Sequence, residues 1–166
     1  MDPKVFESVA SWFKTSDYKP LLIEGKQPHL QNVRSVGQFE DTAEEASLLW
    51  NAAHKLDLER LQELIYRKIR AQSPLATNSL LIVTRMVFWN APKSTKIDER
   101  MRLMLKHEVA RRFHECVDED PLLLNRIMKG NVEVANAIHQ HWLDNPWREE
   151  EIEHFSEAED LEDDDD

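Results

Sequence analysis

The chain has 166 residues, 41% of them apolar and five of them tryptophan, which supports one domain with a single packed core. Its formal net charge is −11. One cysteine, Cys116, excludes an intramolecular disulfide framework, and no apolar run reaches the ~18 residues of a membrane-spanning helix.

Asp2-Pro3 opens the first predicted helix, with aspartate at the N-cap and proline at the first helical position. Val5, Phe6, Val9, Trp12 and Phe13 form its apolar stripe, and Ser16-Asp17 stops it. Tyr18 to Ile23 is a short extended run; Pro20 confines any strand there to an edge or to the residues after it. Gly25 to Asp41 lacks a sustained period and reads as a long loop, either a tolerated surface insertion or a partner-binding segment.

The stretch from Thr42 to Arg70 organises the rest. Thr42 followed by Glu45 predicts a capping box and a helix start. Ala46, Leu49, Trp50, Ala53 and Leu56 then fall on one helical face. Asp57 is expected to end that helix and cap the next, whose face carries Leu58, Leu61, Ile65 and Ile69. The pair must bury these faces against each other and a third surface.

Ser73-Pro74 predicts another helix start, with Ala76, Leu80, Val83 and Val87 on one side, ending before Pro92. Asp98 is the expected cap of a helix carrying Met101, Met104, Leu105, Val109 and Phe113 inward. Arg100, Arg102, Lys106, Arg111 and Arg112 are expected outward. Asp120-Pro121 opens a short helix, Gly130-Asn131 interrupts it, and Val134, Ala135, Ile138 and Trp142 mark a last helix ending at Asn145-Pro146.

The charge is concentrated at one end. Residues 149 to 166, EEEIEHFSEAEDLEDDDD, hold 12 acidic residues and no lysine or arginine. Subtracting those 12 from the chain's 32 leaves 20 acidic against 21 basic residues in 1 to 148, a nearly neutral body. Direct nucleic-acid binding is therefore not expected. The acidic segment has too few apolar residues to offset its ordering entropy, so disorder is expected over 148 to 166. Ser156, followed by Glu157, Ala158 and Glu159, suits an acidophilic kinase and is the candidate phosphosite.

No catalytic or metal constellation emerges. His107-Glu108 begins like a zincin motif, but Arg111 stands where the second histidine belongs. His139 and His141 lie ~200° apart on a helix. Cys116 sits beside Glu115 and Asp118, which raise a thiol pKa rather than lower it. The run from Lys96 to Arg112 interleaves its cations with Asp98, Glu99 and Glu108, as a solvated helix face does; the alternative is an internal landing site for the acidic segment. No cofactor and no enzyme activity are expected.

Several stretches resemble the BTB (POZ) domain family, in its filamentous-fungal form. Leu48-Leu49-Trp50-Asn51-Ala52-Ala53, the Lys55-Leu56 turn and Leu58 to Leu61 resemble the helical pair in the second half of that domain. Pro3 to Phe6 and Trp12 to Ser16 resemble its third helix and exit. Val87 to Pro92 and Arg100 to Met104 resemble later family segments. The resemblance implies a mostly α fold over 1 to 147, the BTB C-terminal helical half. It comprises the pair over 42 to 70 and the helices that follow, with at most one or two short strands near 18 to 23. The family's usual N-terminal strands have no counterpart here.

The expected function is a non-catalytic protein–protein interaction module, a BTB-like scaffold or adaptor. Its partners would be proteins, a cullin ubiquitin ligase among those the resemblance implies. The alternative is a binder of histones or other basic proteins through the acidic segment. With the usual N-terminal half lacking, Val5, Phe6, Val9 and Trp12 are the candidate interaction residues, expected to form an apolar patch that supports self-association. The opening residues do not read as a signal peptide, and an intracellular location, nucleus or cytoplasm, is expected.

Overall fold

In the computed structural model, residues 2 to 93 and 95 to 145 are described. Trp147, Ser156 and the acidic segment lie outside them, as does the expected boundary at 147. The described chain is mostly α, with eight helices and one two-stranded antiparallel hairpin.

Helix α1 (Pro3–Thr15) begins as its sequence dictates: Pro3 occupies the first turn and the Asp2 carboxylate accepts from the Lys4 N–H at 2.8 Å. Ser16 ends it in the left-handed region, φ 60°. Strand β1 (Leu22–Ile23) starts after Pro20 and pairs Leu22 with Leu30 and Ile23 with His29 of β2 (His29–Leu30). The second strand lies beyond the predicted 18 to 23, inside the stretch read as loop.

Helix α2 (Val36–Lys55) starts six residues before Thr42. The working capping box is Ser35 with Gln38: the Ser35 hydroxyl accepts from the Gln38 backbone N–H, and the Gln38 side-chain Oε1 accepts from the Ser35 N–H at 3.2 Å. Thr42 is internal and its hydroxyl donates back to the Gln38 carbonyl at 2.7 Å. The predicted face holds: Ala46, Leu49, Trp50 and Ala53 are buried, while Leu56 is half-exposed at the helix end.

Asp57 does not cap α3 (Glu59–Ala71). Its backbone is left-handed, φ 56°, and its carboxylate engages Lys93, whose ammonium also donates to the His54 carbonyl. On α3, Leu61, Ile65 and Ile69 are buried and Leu58 packs at the edge of the core.

Helix α4 (Thr77–Trp89) begins three residues past Pro74 and buries Leu80, Leu81, Val83, Val87 and Phe88. Helix α5 (Lys96–Arg111) is capped by Thr95, not Asp98; the Thr95 hydroxyl accepts from the Asp98 N–H at 3.3 Å. A short α6 (Phe113–Glu119), not separately expected, buries Cys116. Asp120 and Pro121 start α7 (Pro121–Gly130), where the Asp120 carboxylate accepts from the Leu123 N–H at 2.9 Å. Asn131 separates it from α8 (Val132–Asp144), which buries Val134 and Ile138.

Helix α2 packs against α1, α3 and α4, and α5 packs against α3, α4, α6 and α8. One continuous core runs through both groups. Two arginines expected outward turn into this assembly. The Arg102 guanidinium donates to Asp98 at 2.9 Å, to the Asn90 carbonyl at 2.7 Å and to the Val87 carbonyl at 3.3 Å. It thereby satisfies carbonyls that the end of α4 leaves unpaired. Arg112 donates to the Leu75 carbonyl and the Thr77 hydroxyl, both at 2.6 Å, tying the end of α5 to the start of α4.

Breaking the Asp98–Arg102 pair from one side strands a buried charge, which costs about 3–5 kcal/mol. Arg102→Ala is expected to lower the unfolding free energy by that amount in urea denaturation. Asp98→Asn combined with Arg102→Met is expected to recover part of it. A loss below ~1 kcal/mol for Arg102→Ala, the size typical of an exposed pair, would refute the role assigned to the guanidinium.

Candidate functional site

The two faces of α1 have different fates. Val5 and Val9 turn toward α2 and enter the core. The Ser8 hydroxyl on the same side donates to Glu45 at 3.3 Å. Trp12 is half-buried against the core, its ring 4.9 Å from that of Phe13 in an edge contact. Phe6 and Phe13, by contrast, are 61% and 66% exposed. The expectation of one exposed patch made of Val5, Phe6, Val9 and Trp12 is thereby corrected. Helix α2 covers the inner face of α1, so Val5 and Val9 need no further half-domain. The remaining apolar surface is Phe6 with Phe13, seven residues and two turns apart on one side of the helix.

A second apolar surface lies at the far end of α4. Trp89 is 76% exposed and borders a shallow pocket with Pro92 and Val132. A neighbouring pocket shares Pro92, Arg102 and Glu133 and adds the half-exposed Leu103.

Two wider grooves flank the hairpin. One, about 700 Å³, lies between α1, the hairpin and α2 and carries both signs of charge, with Lys4 and Lys19 opposing Glu7, Asp41 and Glu45. The other, about 680 Å³, lies between the hairpin, α3 and α5 and is lined by Arg67, Arg70 and Arg100 with His29 and Tyr66. The Tyr66 ring carries the Arg100 guanidinium at 4.7 Å and that of Arg70 at 5.8 Å. Arg67 pairs with Glu24, and Arg100 with Glu63 at 3.3 Å. The sequence run from Lys96 to Arg112 is thus divided: Arg100 joins this groove, while Arg102 and Arg112 serve the interior.

The titratable groups of the interior are arranged for structure. Lys68 is buried, with its ammonium over the Tyr18 ring at 3.5 Å. It donates to the Tyr18 and Pro20 carbonyls at 2.5 and 2.8 Å and pairs with Asp17 at 2.5 Å. Burial pulls its pKa below the ordinary lysine range, and Asp17 opposes that shift. Burial likewise raises the Tyr18 phenol, with Asp17 and Glu45 adding to the effect. The Cys116 thiol is pushed up to about 11 by burial; Arg112 opposes that shift, and Glu115, Glu108 and Glu119 add to it, so it stays protonated and unreactive at neutral pH. Sequence reasoning found the direction and credited the charges alone. Among the described residues no group of three or more His, Cys, Asp or Glu side chains is placed to hold a metal ion. No helix among them is long and apolar enough to cross a membrane. The candidate phosphosite Ser156 falls outside the described residues.

Comparison with protein-family models, with curated proteins and with solved structures finds no match for this chain.

His54 offers a titration that reports on the packing of α2. Its ring is buried and its Nε2 has no partner among the described residues. Burial depresses its pKa below 6.5, the Lys93 ammonium adds to that, and Asp98 and a hydrogen bond with the Ala91 backbone oppose it. The unfolded chain therefore binds a proton at His54 before the folded chain does. Stability from this group is complete above pH 6.5 and is lost as pH falls from there toward the depressed value. The melting temperature of His54→Asn is expected to fall less than that of the wild type as pH drops below 6.5. Parallel pH profiles for the two proteins would contradict the assignment.

Proposed function

We propose that the chain is a non-catalytic protein–protein interaction module, a BTB-like helical scaffold, and that the outer face of α1 is its contact surface for a second copy. The carrying observation is the Phe6 and Phe13 pair, two large rings held in water on one side of a helix whose other side is fully used. Monomeric surfaces keep such contiguous apolar area small, and large patches mark association sites.

The charges beside the pair favour a second copy as occupant. Two α1 helices packed antiparallel about a two-fold axis set Phe6 of one against Phe13 of the other. Glu7 and Lys14 lie on a common side of the pair, at about 100° and 80° from Phe6 around the helix, so the same axis brings Glu7 of one copy beside Lys14 of the other. An isologous interface requires this self-complementarity. A cullin ubiquitin ligase is the further partner implied by the family resemblance, and adaptor function with it would build on this scaffold.

A second reading rests on charge alone. The 12 acidic residues within 149 to 166, with no cation among them, suit a histone or another basic protein.

Sedimentation velocity of the full chain over a concentration series tests the first reading. Concentration-dependent self-association is expected, and Phe6→Glu with Phe13→Glu is expected to abolish it without changing the melting temperature by more than a few degrees. A strictly monomeric wild type at high concentration would overturn this reading. Salt-sensitive capture of histones that disappears on neutralising the acidic segment would favour the second.

A further inference from the structure

The groove between the hairpin, α3 and α5 gathers three arginines, Arg67, Arg70 and Arg100. Of its three guanidinium groups, that of Arg67 is paired with Glu24 in the lining and that of Arg100 with Glu63 beside it. Arg70 has no ion pair among the described residues. Arg70 and Arg100 both lie over the Tyr66 ring; Arg100 also donates to Glu63 at 3.3 Å, which leaves the N–H fork of Arg70 available to a carboxylate. Sites of this kind take carboxylate or phosphate groups.

We propose that the occupant is residues 149–166 of this same chain, and that the chain thereby occludes its own anion site. Charge complementarity is the first argument. The described residues balance at 20 acidic and 20 basic, so the 12 carboxylates of the segment are uncompensated by anything in it. Reach is the second. Trp142, near the end of α8, makes an edge contact with Phe113 at 5.1 Å, so the chain leaves α8 beside the end of α5. From Arg111 back to Arg100 along α5 is about 17 Å at ~1.5 Å per residue. The 21 residues of 146 to 166 can extend to about 70 Å. Tethering is the third. A segment on a short linker meets its site at an effective concentration on the order of millimolar, so weak contacts suffice. A free nucleic acid has no such advantage and is repelled by a chain of net charge −11.

This inference does not depend on the α1 interface. It changes what a basic partner would encounter: an acidic segment already held, which the partner must draw out of the groove.

The test uses the full chain with a nitroxide attached at Ala158→Cys; Cys116 is buried and is not labelled. Paramagnetic broadening is expected at the Arg70 amide and the Arg100 guanidinium at about 0.1 M salt, and is expected to vanish at about 1 M salt as the Debye length falls from ~10 to ~3 Å. Arg70→Gln with Arg100→Gln in the labelled chain is expected to abolish it as well. Absence of broadening at low salt, broadening confined to another face, or broadening that survives both salt and the substitutions would overturn the proposal. Binding of a single-stranded oligonucleotide to Arg70 and Arg100, with no broadening from the label, would assign the groove to nucleic acid and overturn it too.

Discussion

The close approach of α2 to its neighbours is the constraint on which the rest of the fold depends. Helix α2 touches α1, α3 and α4 and presents alanine at 43, 46, 52 and 53. Ala43, Ala46 and Ala53 are all buried, and between them stand Leu49 and Trp50, also fully buried. Small residues let the backbones come near, and the large ones fill the space between the helices so formed. Helix α1 can bury Val5 and Val9 because α2 offers it a surface. The exposed Phe6 and Phe13 follow from the same geometry, since a helix packed on one side leaves the other in water.

A second group of interactions holds the irregular connections. Lys68 gathers the carbonyls of Tyr18 and Pro20, Arg102 those of Val87 and Asn90, Arg112 that of Leu75, and Lys93 that of His54. Each cation reaches from a helix or loop to backbone acceptors that no ladder satisfies. Buried carbonyls left without donors would cost about 1–3 kcal/mol apiece. All four cations are also neutralised, by Asp17, Asp98, Asp57 and Glu115 in turn for Lys68, Arg102, Lys93 and Arg112, so these connections carry ion pairs rather than lone charges.

Local signals in the sequence were reliable where one residue type has one physical meaning. Asp2-Pro3 and Asp120-Pro121 start helices because aspartate accepts and proline lacks an N–H, and both do so here. The capping box was ambiguous, because Ser35 with Gln38 and Thr42 with Glu45 both fit the pattern. The earlier pair wins because the helix extends through Val36 to Asp41, where Gly37 and a polar run had suggested loop. Asp98 was misread as a cap, although its i,i+4 spacing to Arg102 on the face of Met101, Leu105 and Val109 pointed to a buried pair. The cationic groove was not legible at all. It is assembled from residues 29, 66 to 70 and 100, which only the packing of the hairpin, α3 and α5 brings together.

The functional reading inherits its reliance on α2, because the α1 face exists only if α2 sits as described. Urea denaturation of two charge variants two residues apart, one on the buried face of α2 and one on its exposed face, tests that placement most directly. Ala53→Asp puts a carboxylate where a fully buried methyl sits, and burying an unpaired charge outweighs the stability of most domains. Lys55→Asp changes an exposed residue in the last turn and costs only about 0.3–1 kcal/mol through the helix dipole. The account predicts no cooperative transition for Ala53→Asp and a nearly wild-type curve for Lys55→Asp. Equal midpoints for the two variants would contradict it.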